Sequence, residues 1–406
     1  MVIERKPPRH PRRGPSCLLV LFVLFGITVS FYVIQNRDEV REIILPTATP
    51  EPTRSATEFA VLAELSKEDG ENEEAVDYYE KAIGLDGTRP EFYIRLIDLL
   101  VKQDQAEKAV EKAEQATVLA PDNDDVWTAA AKAYLANGDR LSDRGDFGGA
   151  NIQYATAFQA ASKAIGINSE NATAHALAAA GLVLQGNADL YAQAQELADT
   201  AIFLEPDNPI ARLYMATVFT YQGLYPAAQE QYQLGLQAEP TNANLHIGLA
   251  YNYYGDGRIS DAIISFEDAL AADPNKANAY DGLAHMYIQL GDAPLAEQNA
   301  LQAVELNPNI ARAQGRLGEA YFRQNNYLNA IPPLEKSIEL YGKASELNAR
   351  FFNMLATAYI RNSLTDCSKA VPLFQQVLNA TLNPLILESA QEGLEECRLA
   401  ELQRSP

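Results

Sequence analysis

Arginine is the residue type in this chain whose placement could do chemistry, because a guanidinium grips a carboxylate or phosphate with two parallel hydrogen bonds. Arg312, Arg316, Arg323, Arg350 and Arg361 fall close together in a chain of 406 residues whose formal net charge is -22. The residue sets that enzymes use do not occur. There is no glycine-rich phosphate loop, no Gly-x-Ser-x-Gly elbow and no His-Glu-x-x-His zinc motif, and the four histidines, His10, His175, His246 and His285, are scattered. No enzymatic activity, cofactor or metal is therefore expected. The acidic balance argues against nucleic acid and anionic lipid as partners. The acidic runs from Glu68 to Glu74 and from Asp122 to Asp125 read as solvated turns.

What positions the arginines is a repeat. Pro206, Pro240, Pro274 and Pro308 stand 34 residues apart, and a fixed period of that size marks an array whose stacked units share a continuous core. Between Pro240 and Pro274 lie Leu249, Ala250, Tyr253, Gly257, Ala262, Phe266 and Ala269; between Pro274 and Pro308 lie Leu283, Ala284, Tyr287, Gly291, Ala296, Ala300 and Ala303. Two apolar runs at helical spacing, split by glycine and closed by proline, predict a helical hairpin in each period. The order and spacing of small and large apolar positions resemble the tetratricopeptide repeat. The same phase takes in Leu62, Ala75, Tyr79 and Ala82 before Gly87, Trp127 after Pro121, then Leu317, Gly318, Tyr321, Ala330 and Leu334, and last Leu355, Ala356, Tyr359, Ala370, Phe374 and Val377. The resemblance covers residues 56–380 as nine repeats. It implies an all-α, right-handed α-solenoid of helix-turn-helix units.

Two repeats break the period. From Pro121 to Ser169 the chain runs 14 residues beyond one period, which is close to two added turns in each helix. The third repeat, 124–169, is therefore expected to be a taller hairpin, roughly Asp125 to Ile167, projecting from one edge of the array. The fourth carries three extra residues in its internal turn, around Gly186 to Tyr191. Residues 381–406 are expected to hold a capping helix and tail, since a terminal repeat needs a polar outer cover. In that helix, Pro384 to Leu402, Leu385, Ala390, Leu394 and Leu399 would face the array, and Glu388, Glu392, Glu395, Glu396 and Arg398 would face water. The phase brings Cys367 beside Cys397, and an oxidising compartment would join them in a disulfide. Two unpaired buried cysteines are the alternative.

In the family that the array resembles, first helices line a concave face on which peptides or protein segments dock. Carried over residue by residue, that groove includes Tyr214, Thr217 and Tyr221, then Asn244, Tyr251 and Tyr254, then Asn278, Asp281, His285 and Gln289. The last two repeats add Arg312, Arg316, Glu319, Arg323, Arg350, Asn353, Thr357 and Arg361. The arginines would share one inner wall and pair with a partner's carboxylates or phosphates, with tyrosines as flat anchors. The alternative is that they balance Glu319, Glu335 and Glu346 along a solvated face. The carboxylate clamp of some family members is matched only by Arg312 and Arg316, because Ile247, Tyr251 and Gly282 occupy its other places.

Ahead of the array, residues 1–16 form a basic tail with Arg5, Lys6, Arg9, Arg12 and Arg13, and residues 17–34 an uncharged apolar run. A run of that length can span a bilayer, and the basic flank predicts a cytoplasmic N-terminus with the array outside. A cleaved secretory signal is the alternative, with Thr28-Val29-Ser30 the nearest approach to a cleavage site. Residues 35–55 form a Pro/Thr-rich linker, expected to be extended and semi-stiff. The function expected is a membrane-tethered, extracytoplasmic scaffold holding a protein or peptide in its concave groove. A component of envelope or exopolysaccharide export or assembly machinery is the alternative.

Overall fold

The computed structural model of the protein describes residues 17–35, 54–362 and 367–404, with side chains described within 21–403. The basic tail and most of the Pro/Thr-rich linker lie outside the described residues. The chain divides into two compact units, 1–55 and 56–406. The first contributes α1 (Cys17–Gln35), a helix without a charged residue. Among the described residues no helix is long and apolar enough to cross a membrane. The run expected to be a transmembrane helix is found as a helix.

In the second unit every regular element among the described residues is helical, and the helices pair as hairpins. They are α2 (Ala56–Glu68) with α3 (Asn72–Leu85), α4 (Pro90–Lys102) with α5 (Ala106–Leu119), α6 (Asp124–Asp143) with α7 (Phe147–Ile167), and α8 (Ala172–Val183) with α9 (Tyr191–Leu204). There follow α10 (Pro209–Tyr221) with α11 (Tyr225–Ala238), α12 (Ala243–Gly255) with α13 (Ile259–Ala272), and α14 (Ala277–Leu290) with α15 (Ala293–Leu306). The last are α16 (Ala311–Arg323) with α17 (Tyr327–Tyr341), α18 (Ala349–Asn362) with α19 (Cys367–Ala380), and a closing α20 (Pro384–Arg404). A short 3-10 turn, Ala188–Leu190, takes up the extra residues of the fourth hairpin.

Local chemistry accounts for the elements. Pro206, Pro240, Pro274 and Pro308 each stand two residues past a helix end, at Leu204, Ala238, Ala272 and Leu306, where a missing N–H and a fixed φ prevent continuation. Asn208 and Asn242 then cap the next helices, accepting from the amides of Ile210 and Ala211 and of Asn244 and Leu245. Inside the first eight hairpins one turn residue takes positive φ: Gly70, Asp104, Gly145, Gly186, Gly223, Gly257, Gly291 and Asn325. That conformation strains most side chains and is borne best by glycine, then asparagine and aspartate. Asp104 and Asn325 therefore continue a beat that the glycines begin.

Between repeats, a large side chain of one second helix fits against a glycine of the next first helix. A Cβ added to Gly248 would meet Tyr232 at 2.5 Å, and one added to Gly282 would meet Phe266 at 2.3 Å. Helices α7 and α8 lie closer still, since a Cβ on Gly181 would stand 2.7 Å from the Phe158 nitrogen and 2.8 Å from the Tyr154 oxygen, both main-chain atoms. Main chain cannot rotate aside as a side chain can. Gly181→Ala is thus expected to cost the upper part of the overpacking range of about 1–3 kcal/mol, read as a lower midpoint in urea. An unchanged midpoint would mean that α7 and α8 part freely.

The third hairpin does not project from an edge. Its helices run 20 and 21 residues against 13 and 14 in the second hairpin, and the added turns point into the concave side. Asp143 at its tip binds Arg312 at 2.6 Å, Gly145 abuts the ring of Tyr341, and the Phe147 and Tyr341 rings lie 6.5 Å apart. A second contact, Asn307 donating to Asp104 at 3.4 Å, joins the second hairpin to the turn between the seventh and eighth. The coil therefore brings its second and third repeats against its seventh and eighth. The extra turns of α6 keep the phase of its inward face, so lengthening carries Asp139 and Asp143 into the bore, where Arg312 supplies the countercharge.

The cap also needs correction. Of the four residues expected to face the array, Ala390 and Leu394 do so, but Leu385 and Leu399 are 75% and 45% exposed, and Ile386, Gly393 and Cys397 complete the inward face. That set follows the helical period, and it is anchored by the disulfide that joins Cys397 to Cys367 in the structure.

Candidate binding surface on the concave face

Asp281 on α14 is the centre of the inner wall. It is 0% exposed, and its Oδ2 receives Arg312 Nε at 2.6 Å and Arg316 Nη1 at 2.5 Å. Arg316 also donates to the Asp281 main-chain oxygen at 2.9 Å, while Arg312 Nη2 donates to Asn278 at 2.7 Å. Burial pushes the Asp281 carboxyl up, but Arg316 and Arg312 more than reverse this and hold it below the usual range. Burial, with Arg316 and Arg350 beside it, pushes His285 down to about 3, so its ring is neutral at physiological pH. That ring lies 4.9 Å from the ring of Tyr254.

Arg316 can be buried because the repeat leaves it room. It stands at the phase where the sixth and seventh repeats have Gly248 and Gly282, and the repeat before it has Ala300 where theirs have Tyr232 and Phe266.

The other arginines are also engaged. Glu319, 2% exposed, accepts from Arg323 at 2.8 and 3.0 Å and faces Arg350 Nε at 3.9 Å. Arg350 lies over the ring of Phe351 at 4.6 Å. Arg361 stands apart, forked onto Glu396 of the cap at 2.9 and 3.0 Å. The expected wall of arginines free for an anionic partner is thereby corrected: each meets a carboxylate of its own chain. Of the three acids expected to balance them only Glu319 does so, because Glu335 takes the Tyr359 hydroxyl and Glu346 takes Thr381 and the Leu382 amide.

The tyrosines line the bore unevenly. Tyr214 is half-buried against the core of the first repeats, Tyr221 stacks on Tyr191 at 6.1 Å and Tyr251 meets Phe266 edge-on at 5.1 Å. Asn244 is exposed. Asp139 on α6 keeps solvent-exposed surface although protein surrounds it, and it accepts from Tyr154 at 2.8 Å. Burial within the coil raises its carboxyl, against the opposing pull of that hydrogen bond.

The concave face of α4, α6 and α8 holds a cleft of about 630 Å³ lined by Glu91, Asp98, Asp125, Thr128, Lys132 and Thr173 among others. Within it Lys132 binds Asp98 at 2.9 Å. The expected groove residues all lie in later repeats, yet the signal for this cleft was present: Glu91, Ile94 and Asp98, and Asp125, Thr128 and Lys132, hold the same phase as Asn244, Ile247 and Tyr251. Asp143 was missed because it sits in the inserted turns. It continues the inward face of Lys132 and Asp139 at helical spacing.

Two models of the tetratricopeptide repeat match the chain, one over residues 67–133 and the other over residues 215–277 and 282–345. No curated protein matches by sequence. Among solved structures, a human IFIT1 dimer with PPP-AAAA is similar at 18% identity and TM-score 0.59, over 88% of this chain and 92% of that one. The human IFIT1 dimer with m7Gppp-AAAA gives 18%, 0.60, 87% and 91%. A monomeric IFIT1 mutant with Gppp-AAAA gives 19%, 0.61, 84% and 80%. At such identity the likeness speaks for the fold alone.

Proposed function

The chain is a tetratricopeptide-repeat protein, and from that premise we propose that it is a membrane-tethered scaffold for protein-protein interaction whose partner docks in the concave cleft of the second to fourth repeats. The cleft itself carries the reading: it is open, it holds the inward phase of the repeat, and the tip of the third hairpin covers the groove farther along. Its acids Glu91, Asp98, Asp124, Asp125, Glu170 and Glu205 outnumber Arg95 and Lys132. A segment bearing lysine or arginine therefore complements it better than an anionic one. That is opposite in sign to the partner the arginines suggested. It also sets the cleft apart from a surface for a phosphate-bearing ligand such as the PPP-AAAA of the IFIT1 dimer, since phosphate contacts need cationic side chains. A scaffold of this kind binds without catalysing.

The tether and the extracytoplasmic placement of the array rest on the uncharged run from Cys17 to Ile34 behind its basic flank. The joined pair Cys367 and Cys397 suits an oxidising compartment. Co-purification from solubilised membranes tests both parts of the reading. The wild-type protein should need detergent for extraction and should bring down a discrete client; Asp125→Lys with Glu170→Lys should lose that client by about tenfold or more, equivalent to about 1.4 kcal/mol. Full retention by the reversed protein would remove the cleft from the reading. Extraction by alkaline carbonate alone would remove the tether, and recovery of export machinery in place of a discrete client would favour the alternative role.

A further inference from the structure

We infer that the inner wall of the seventh and eighth repeats is a carboxylate-binding site whose present occupant is the chain's own Asp143, so that the third hairpin is a built-in ligand that a carboxylate-bearing segment of a partner displaces. This site is independent of the acidic cleft over the second to fourth repeats.

The receptor half is preorganised. Arg312 is held at Nε by Asp281 and at Nη2 by Asn278, which leaves Nη1 to meet Asp143 Oδ1 at 2.6 Å. Asn278 Nδ2 in turn reaches Asp143 Oδ2 at 3.4 Å. Both oxygens of the carboxylate thus have a donor. Charge balance points the same way. Asp281 is one carboxylate shared by two guanidiniums, Arg312 and Arg316, and Asp143 supplies the second negative charge. Lifting Asp143 away would leave an uncompensated cation in a largely buried wall, a costly state that another carboxylate relieves.

The occupant half is exchangeable. The side chains of Arg312 and Asp143 keep 27% and 16% of their surface exposed, whereas Asp281 keeps none. The tip is carried by residues beyond the 34-residue period, and a hairpin of ordinary length would stop two turns short of Arg312. Repeat packing alone does not require it. The tip also brings acid against acid: Asp104 is raised by burial and by Asp143 nearby, so Arg312 holds the tip against repulsion. Glycine at position 145 permits the approach, because φ there is +80° and a Cβ would fall 2.3 Å from the Tyr341 ring.

Fluorescence anisotropy with a labelled hexaglutamate peptide on the full chain in detergent at low salt tests the inference, with hexalysine as the control. Asp143→Asn removes the internal competitor, and Gly145→Val drives the tip off Tyr341 without touching a charge. Each is expected to bind hexaglutamate about tenfold tighter than wild type or more, to leave hexalysine binding unchanged, and to lose the gain when Arg312→Gln is added. Small-angle scattering should show the coil loosened in both, and circular dichroism should show helicity kept; if either variant loses its helices, the other decides. A loosened coil with no gain in hexaglutamate binding overturns the receptor. Unchanged scattering and unchanged affinity in both variants overturn the built-in ligand, and a gain that survives Arg312→Gln overturns the assignment to that residue.

Discussion

Asp281→Asn is expected to destabilise the array by about 3–5 kcal/mol, the usual cost of leaving a buried charge without its partner. The charge left behind is Arg316, 6% exposed, together with the inner edge of Arg312. Arg361→Ala is the contrast. Its bond to Glu396 is forked, but the two side chains are 48% and 36% exposed, so less than about 1 kcal/mol should be lost. Urea unfolding followed by circular dichroism separates the two, and hydrogen exchange should place the loss in α14 and α16. The pH dependence has a definite sign. Asp281 is held below the ordinary carboxyl value when folded, so its contribution is complete above the unfolded value of about 4 and is lost as pH falls through the folded value. The gap between wild type and Asp281→Asn should therefore be constant near neutrality and shrink only in strong acid. A gap that widens on acidification, or one no larger than that of Arg361→Ala, would show that the pair does not hold the wall.

Reduction of the bond between Cys367 and Cys397 is expected to lower the stability of the cap by about 3–4 kcal/mol on the chain-entropy account, given a sequence separation of 30. The half-cystines are 5% and 1% exposed and belong to the core that also holds Phe352, Phe374 and Ala390. Losing α20 would uncover that core. The double substitution to alanine should behave like the reduced protein, and in both α20 should become the first site of limited proteolysis while the earlier repeats resist. Free thiols found by mass spectrometry in the untreated protein, with proteolysis indifferent to reductant, would remove the fastening and the argument for an oxidising compartment together.

The parts of the fold that could be read from residue order are those that nearest neighbours decide. Proline past a helix end, asparagine at a cap, and glycine, asparagine or aspartate at a left-handed turn act over a few residues. The apolar positions act over one period. The pairing of Asp281 with Arg312 and Arg316 was legible in the same way, since adjacent repeats place these residues side by side, and counting the acid at that phase with the arginines would have shown them to be neutralised. The inward face of the cap was a matter of one helical step, and Ile386 was the apolar residue that Leu385 displaced in the reading.

The sequence by itself determined that this chain stacks helical hairpins, where each begins and ends, that the third is taller, and that two cysteines meet at the cap, because each of these depends on contacts within a repeat or between neighbours. Only the tertiary structure decided where the tall hairpin goes and which part of the concave face is left open. Small rotations from one repeat to the next accumulate around the coil until Asp143 faces Arg312 and Asp104 faces Asn307. Such a sum has no local signature. The same closure spends Arg312 on Asp143 as well as on Asp281, while Glu91, Asp98 and Asp125 of the cleft face the solvent.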